Sequence, residues 1–244
     1  MEKFLNATIN ANKEIIKLIA TNQHSYLCEE ISLGAGGDIS RRVDLLAEEI
    51  FIKHLKKFGN IYSEECGFVD SNSEFKIIID PIDGSDNFAS NLPYFGTSVA
   101  LKHGNRPMLS VIVNLANGDI FYKDKDRFQK ANMEFLDFKD VQNNSFSKIG
   151  IFERSYCSKN LFDKLRAKNL KFRSPGAFAL SLSYAHEVNF VVYEGNIRLY
   201  DVEAGLYMCE DLYKIVTKDK LLISKNKEIF DKISQLFIKG GEKI

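Results

Sequence analysis

Three short runs rich in β-branched residues, TSVALKH (97–103), PMLSVIVN (107–114) and DIFYK (119–123), are separated by short breaks that contain Gly104-Asn105-Arg106 and Asn117-Gly118. Breaks of this kind suit hairpin turns, and Asn-Gly is the strongest short hairpin signal. This stretch therefore reads as an antiparallel meander, and it constrains the fold more than any other part of the chain. Beyond residue 146 the pattern changes to SKIGIF (strand), NLFDKLRAKN (helix), LKFRS (strand), GAFALSLSYAHE (helix) and VNFVVYE (strand). That alternation argues for an α/β layer.

The N-terminal third supplies helices and two further extended pieces. Phe4, Leu5, Ile9, Ile15, Ile16 and Ile19 fall at near-helical spacing and predict an amphipathic helix over residues 2–20. A second helix is expected over about 40–57, with Val43, Leu46, Ile50, Phe51 and Leu55 on one side and Gly59-Asn60 after it. Ile61-Tyr62 starts a short strand that runs into Ser63-Glu64-Glu65, and Phe75–Ile79 is a strand by length and β-branched content. The polar stretch 123–146 reads as surface strand, loop and linker. A chain of 244 residues can bury one large core or two smaller ones. The expected organisation is an α+β subdomain with an antiparallel sheet over 1–130 and an α/β subdomain over 131–244 that completes the site.

Composition narrows the partners. The 33 basic residues balance the 33 acidic ones, so no global field attracts nucleic acid or an anionic membrane. No apolar run approaches the roughly 18–20 residues of a membrane span. The N-terminal segment carries acids and amides through its apolar positions, unlike a signal peptide, and a cytoplasmic location is expected. Cysteines 28, 66, 157 and 209 form no CxxC pair and histidines 24, 54, 103 and 186 are scattered, so a sulfur–imidazole zinc site is not expected. Any metal would be held by oxygen.

The stretch DPIDGSDNF begins at Asp80, directly after Ile77-Ile78-Ile79. Pro81 biases Asp80 toward an extended conformation and is expected to end the strand there. Gly84 permits a sharp turn, and Ser85 or Asp86 is placed to cap a following helix. Asp80 and Asp83 then share a strand's C-terminal mouth, where close carboxylates repel unless a hard cation such as Mg²⁺ lies between them. Taken singly, each acid also has an ordinary explanation. Asp80 and Asp83 suit a solvated Asp-Pro turn, Glu64-Glu65 a surface pair, Asp44 an exposed helical acid beside Arg41, and Asp201 a helix N-cap.

Taken in order, Gly37-Asp38, Asp44, Glu48, Glu64-Glu65, Asp80-Pro81-Ile82-Asp83-Gly84-Ser85 and Tyr200-Asp201 with Ala204-Gly205 resemble the inositol monophosphatase family. Fructose-1,6-bisphosphatases and phosphoadenosine-phosphate phosphatases belong to the same Mg²⁺-dependent, lithium-sensitive group. The resemblance runs over nearly the whole chain. It implies a layered αβαβα sandwich, usually dimeric, and a small phosphorylated substrate. It further implies that Glu64, Asp80 and the carbonyl of Ile82 bind a first Mg²⁺, that Asp83 and Asp201 join Asp80 around a second, and that Glu65 helps hold a weaker third. By the same resemblance Asp44 and Ser85, with Glu64, serve the attacking water. The amides of Gly84 and Ser85 would grip the phosphate beside Asp83 and Asp201. Arg173-Ser174-Pro175-Gly176-Ala177 looks like the family's Arg-x-x-Gly-Ser/Thr/Ala segment, which brings Gly176 and Ala177 to the substrate. Glu194 falls where inositol phosphatases bind a substrate hydroxyl, although a surface acid at a strand end would look the same.

Several positions depart from the family pattern. Ser85 stands for the commoner threonine, Asp86 adds an acid, Tyr200 replaces tryptophan, the glycine-rich loop 33–37 lacks a lysine, and residues 127–136 match the usual hairpin poorly. The expected activity is hydrolysis of a small sugar or polyol phosphate, inositol monophosphate first, by metal-activated water. Fructose-1,6-bisphosphatase or dual activity is the alternative. Phosphoadenosine-phosphate hydrolysis is disfavoured by Ser85-Asp86-Asn87-Phe88 where Lys-Glu-Phe follows in those enzymes. A regulatory binding protein that keeps the fold without catalysis is a reading from another class, against which all the carboxylates are present.

Overall fold

The computed structural model describes residues 1–238. In chain order its elements are α1 (Glu2–Thr21), α2 (His24–Leu27), β1 (Glu30–Leu33), β2 (Ile39–Arg41), α3 (Arg42–Leu55), β3 (Asn60–Ser63), β4 (Gly67–Val69), β5 (Phe75–Asp83), α4 (Ser85–Ala89), β6 (Gly96–His103), β7 (Arg106–Asn114) and β8 (Asp119–Asp124). They continue with β9 (Phe128–Asn132), β10 (Lys139–Asp140), β11 (Gly150–Glu153), α5 (Lys159–Ala167), β12 (Phe172–Arg173), α6 (Phe178–Ser183), β13 (Val191–Glu194), α7 (Leu199–Met208), β14 (Tyr213–Val216), β15 (Lys220–Ser224) and α8 (Lys227–Ile238).

The alternation of side chains along β5 sets the layers. Ile77 and Ile79 face one way and pack with Phe4, Ile15, Val43 and Phe51 of α1 and α3. Ile78 faces the other way, with Ala100, Ile112 and Phe121 of the same sheet, onto Leu180 of α6 and Ala204 and Met208 of α7. The far sides of α6 and α7 carry Phe178, Leu182 and Val202 onto Val191, Tyr193, Leu221 and Ile223 of a second sheet. That sheet turns Phe152, Val192 and Leu222 toward Leu161 and Leu165 of α5 and Ile233 of α8. Helices, sheet, helices, sheet and helices therefore follow in five layers, the expected αβαβα sandwich.

The large sheet runs β10-β9-β8-β7-β6-β5-β3-β4 and the small one β12-β11-β13-β15-β14. The large sheet thus draws strands from both sides of the expected 130/131 boundary, and the small sheet begins at Gly150. The meander of β6, β7 and β8 is antiparallel as expected. Two local expectations are corrected. Pro81 does not end its strand: β5 continues to Asp83, and its register against β6 shifts between Asp80 and Asp83. A bulge removes the need for a ladder donor there, which is where a strand tolerates proline. The second helix begins at Arg42, because Ser40 and Arg41 are taken into β2.

Candidate active site

The site forms where two parallel strands end side by side. β3 and β5 are paired with Ser63 opposite Ile79, so Glu64 leaves the end of β3 beside Asp80 while β5 runs on to Asp83. The amide of Glu64 donates to the carbonyl of Ile79 at 3.3 Å, which sets Glu64 beside Asp80. α7 enters from the other half of the chain and presents Asp201 in its first turn. One carboxylate oxygen from each of Glu64, Asp80 and Asp201 lies within 4.8 Å of the other two, and all three side chains are buried.

Such a group is electrostatically costly. Burial raises Asp80 well above the usual carboxylate range, and the charges of Glu64, Asp83 and Asp201 push the same way against Arg198. Burial pushes Glu64 up to about 7, with Arg198 opposing and Asp201, Glu65 and Asp38 adding to the rise. Asp201 is raised by burial and relieved by its bonds to Arg198. The Oδ1 of Asp80 has no hydrogen-bond partner. A buried, unpartnered carboxylate oxygen among like charges is the environment a cation relieves. The donors are all oxygen, which suits a hard divalent ion such as Mg²⁺.

Glycines bring a loop down over the two glutamates. The amides of Ala35 and Gly36 donate to the carbonyls of Glu65 and Glu64 at 2.9 and 2.7 Å. A Cβ on Gly34 would meet Glu65 Oε2 at 2.6 Å, and one on Gly36 would meet Glu64 Cγ at 2.7 Å. Only glycine permits so close an approach. Half-buried Glu65 also accepts the hydroxyl of Ser40, and burial raises its carboxyl.

Asp44 is neither exposed nor paired with the side chain of Arg41. It is buried at the third position of α3, where its Oδ2 accepts the backbone N–H of Arg41 at 2.6 Å and its Oδ1 has no partner. Burial pushes its carboxyl up to about 7 against that hydrogen bond, with Glu65 and Glu64 adding to the rise. The Arg41 guanidinium instead reaches Ser85 Oγ at 3.4 Å and pairs with Asp86 at 2.9 Å.

Gly84, not Ser85 or Asp86, is the N-cap of α4, and its φ of 87° is left-handed. A Cβ there would lie 3.0 Å from Ala177 Cβ and 3.1 Å from the Tyr94 carbonyl. Gly84 therefore packs against Gly176-Ala177, and Asn87 Nδ2 donates to the carbonyls of Tyr94 and Pro175, both at 2.7 Å. The first-turn amides of α4 have no partner four residues back in the helix. Asp83 faces α6: its two oxygens accept the amides of Phe178 and Leu180 at 2.8 and 2.7 Å. Ile82 is buried between the two aspartates. Glu194 is half-buried at the end of β13 and, among the described residues, makes no hydrogen bond or ion pair with this group.

Three residues of the site carried no signal in the sequence. Arg198, the N-cap of α7, pairs through Nη1 with Glu64 Oε1 at 2.7 Å and donates from Nη1 to Asp38 Oδ2 at 2.6 Å. Its Nε and Nη2 hold the two oxygens of Asp201 at 3.0 and 3.1 Å. Glu153, fully buried at the end of β11, accepts the amide of Gly176 at 2.9 Å and the hydroxyl of Ser181. Arg41 is the third. The Arg198–Asp201 spacing is a common helix-start pattern, and nothing in sequence separation brings Arg198 to Asp38 or Glu153 to Gly176.

Comparison with known proteins agrees with this architecture. The model of the inositol monophosphatase family matches residues 1–212. A fructose-1,6-bisphosphatase/inositol-1-monophosphatase of Methanocaldococcus jannaschii is 26% identical, the match covering 95% of this chain and 96% of that one. The protein of the same name from Thermococcus kodakarensis is 27% identical over 88% of this chain and 82% of its own length. A solved structure described as an inositol monophosphatase–fructose 1,6-bisphosphatase shares the fold with a TM-score of 0.79 at 23% identity, covering 95% of this chain and 98% of that one. With a family model spanning most of its length, the chain belongs to the inositol monophosphatase family.

Proposed function

We propose that the chain is a divalent-metal-dependent phosphomonoester hydrolase, with Mg²⁺ as its ion and a small sugar or polyol phosphate, inositol monophosphate first, as its substrate. The observation that carries this reading is the buried trio of Glu64, Asp80 and Asp201 beside the first turn of α4. In this reading Glu64, Asp80 and the carbonyl of Ile82 hold one ion. Asp80, Asp83 and Asp201 border a second, Asp83 from the side of α6, and Glu65 reaches a further one through water. When bound, divalent ions lower the pKa of water and stabilise charge on the leaving oxygen.

The chain's own groups do the remaining work. Asp44, pushed up to about 7 by burial, orients the attacking water and takes its proton, with its carboxyl fixed by the Arg41 amide. The Ser85 hydroxyl completes that pair, and the Arg41 guanidinium spans Ser85 and Asp86. Asp86 is thereby answered by a cation, so the acid beside the cradle does not repel a phosphate at full strength. The amides of Gly84 and Ser85 bind phosphate oxygens, Gly176 and Ala177 wall the cradle, and Glu194 accepts a substrate hydroxyl. Homodimerisation belongs to the same reading and rests on the family resemblance.

A second reading, fructose-1,6-bisphosphatase or dual activity, is favoured by the names of the two archaeal relatives. Phosphate release from inositol 1-phosphate, fructose 1,6-bisphosphate and phosphoadenosine phosphate, with Mg²⁺ and with EDTA, separates these. The expected result is release from a polyol or sugar phosphate that EDTA abolishes and Mg²⁺ restores. Failure of folded protein to hydrolyse any phosphomonoester with Mg²⁺ would move the chain to a non-catalytic binding role.

A further inference from the structure

Arg198 stands among the carboxylates that the proposed function assigns to metal. Its guanidinium forms an ion pair with Glu64 and hydrogen-bonds both oxygens of Asp201 in a fork, so it faces two members of the trio. The third member, Asp80, receives none of these bonds and keeps an unpartnered oxygen. A fixed guanidinium and a divalent ion drawing on the same oxygens repel each other at short range, and in a poorly hydrated site that repulsion is weakly screened.

The surroundings give the guanidinium somewhere to go. Its side chain is 28% exposed, and the Asp38 carboxylate that also binds it is 76% exposed, on the loop that covers Glu64 and Glu65. The Gly195–Arg198 turn that carries it starts with a glycine at φ 149°. Asp38 lies 160 residues away in sequence, so this contact links the loop after β1 to the start of α7.

We propose that Arg198 is a built-in competitor for the metal: its guanidinium neutralises Glu64 and Asp201 and must release them, moving out toward Asp38, when a divalent ion binds. Arg198 is thus a positioning residue that sets how tightly and how selectively the site loads. The inference rests on the metal-binding reading above. An opposite role, in which Arg198 orients Asp201 for the ion, predicts the reverse effect of its removal.

Calorimetric titration of Mg²⁺ and Mn²⁺ into chelator-treated wild type and Arg198→Gln decides between them. Competition predicts that the variant binds the ion about tenfold more tightly or better. Equal or weaker binding by Arg198→Gln, with wild-type binding intact, overturns the inference and leaves the metal reading standing. A wild type that binds neither ion overturns both. A measurement on wild type covers the case of a variant that does not fold. The Arg198 Nε–H resonance should shift and exchange faster with water as Mg²⁺ saturates the protein; a resonance unmoved by saturating Mg²⁺ overturns the inference.

Discussion

Replacing Asp44 by asparagine separates what this carboxylate costs the fold from what it does in the site. Asp44 is 2% exposed, has one oxygen without a partner, and has its carboxyl raised from 3.8 to about 7, chiefly by burial. At about 1.4 kcal/mol per pH unit that rise corresponds to about 4 kcal/mol between its charged and neutral forms. The folded chain holds this proton more tightly than the unfolded chain does. The stabilising contribution is therefore complete below about pH 4, is lost as the pH rises toward 7, and is gone above it.

Asparagine keeps the shape and the acceptor for the Arg41 amide but never ionises. In chelator, Asp44→Asn is expected to exceed wild type in stability by about 2–4 kcal/mol at pH 8 and by only about 1 kcal/mol near pH 4.5. Urea unfolding followed by circular dichroism across that range measures the difference. Saturating Mg²⁺ should shrink the gain, since cationic charge near Glu64 and Glu65 lowers the cost of ionising Asp44. Phosphate release should fall by about a hundredfold or more if Asp44 handles the proton of water. A variant less stable than wild type at pH 8, or a gain that does not change with pH, would refute the burial argument.

Two further substitutions probe the contact between the halves of the site. Gly84→Ala places a methyl against Ala177 Cβ and the Tyr94 carbonyl on a backbone at φ 87°, and should destabilise by about 1–3 kcal/mol while removing most phosphate release, read by thermal unfolding and a phosphate assay. Glu153→Gln leaves one acceptor where the carboxylate serves both Gly176 and Ser181, so the start of α6 loosens. Its expected signature is about a tenfold loss in kcat/KM with bound-metal affinity unchanged; equal loss of metal binding would show that Glu153 acts elsewhere.

Much of this was legible because it depends on short-range pattern. The strand at Phe75–Ile79, the hairpins around Gly104 and Asn117-Gly118, and the change to alternating helix and strand after residue 146 are local signals. The strand reading put Glu64 and Asp80 each directly after a short extended run, and the pairing of β3 with β5 brings the two together. What was hidden depends on pairing across the chain. Pro81 reads locally as a strand end, and only the partner strand β6 shows the register shift that lets β5 pass through it. Asp44 next to two arginines reads as an exposed ion pair, and only packing of α3 shows that it is buried and held by a backbone amide. Arg198 and Glu153 have no partner near them in sequence, so no spacing could announce them.

The bonds across the site suggest why its charges are spread over both halves of the chain. Asp83 from β5 caps α6, Asn87 from α4 holds the Pro175 carbonyl, Arg198 from α7 holds Glu64 and Asp38, and Lys102 of β6 pairs with Glu203 of α7. Each joins a residue before 104 to one after 174. Glu64 and Asp80 lie on one side of that seam, and the third member of their trio, Asp201, with its cation Arg198, on the other. Asp201 sits in this buried group together with the guanidinium that offsets its charge. Without its arginine Asp201 would face Glu64 and Asp80 uncompensated, and the desolvation cost would fall on folding. The contacts that join the two parts of the chain and those that assemble the carboxylate trio therefore share residues, with Arg198 offsetting part of the charge that those contacts bury.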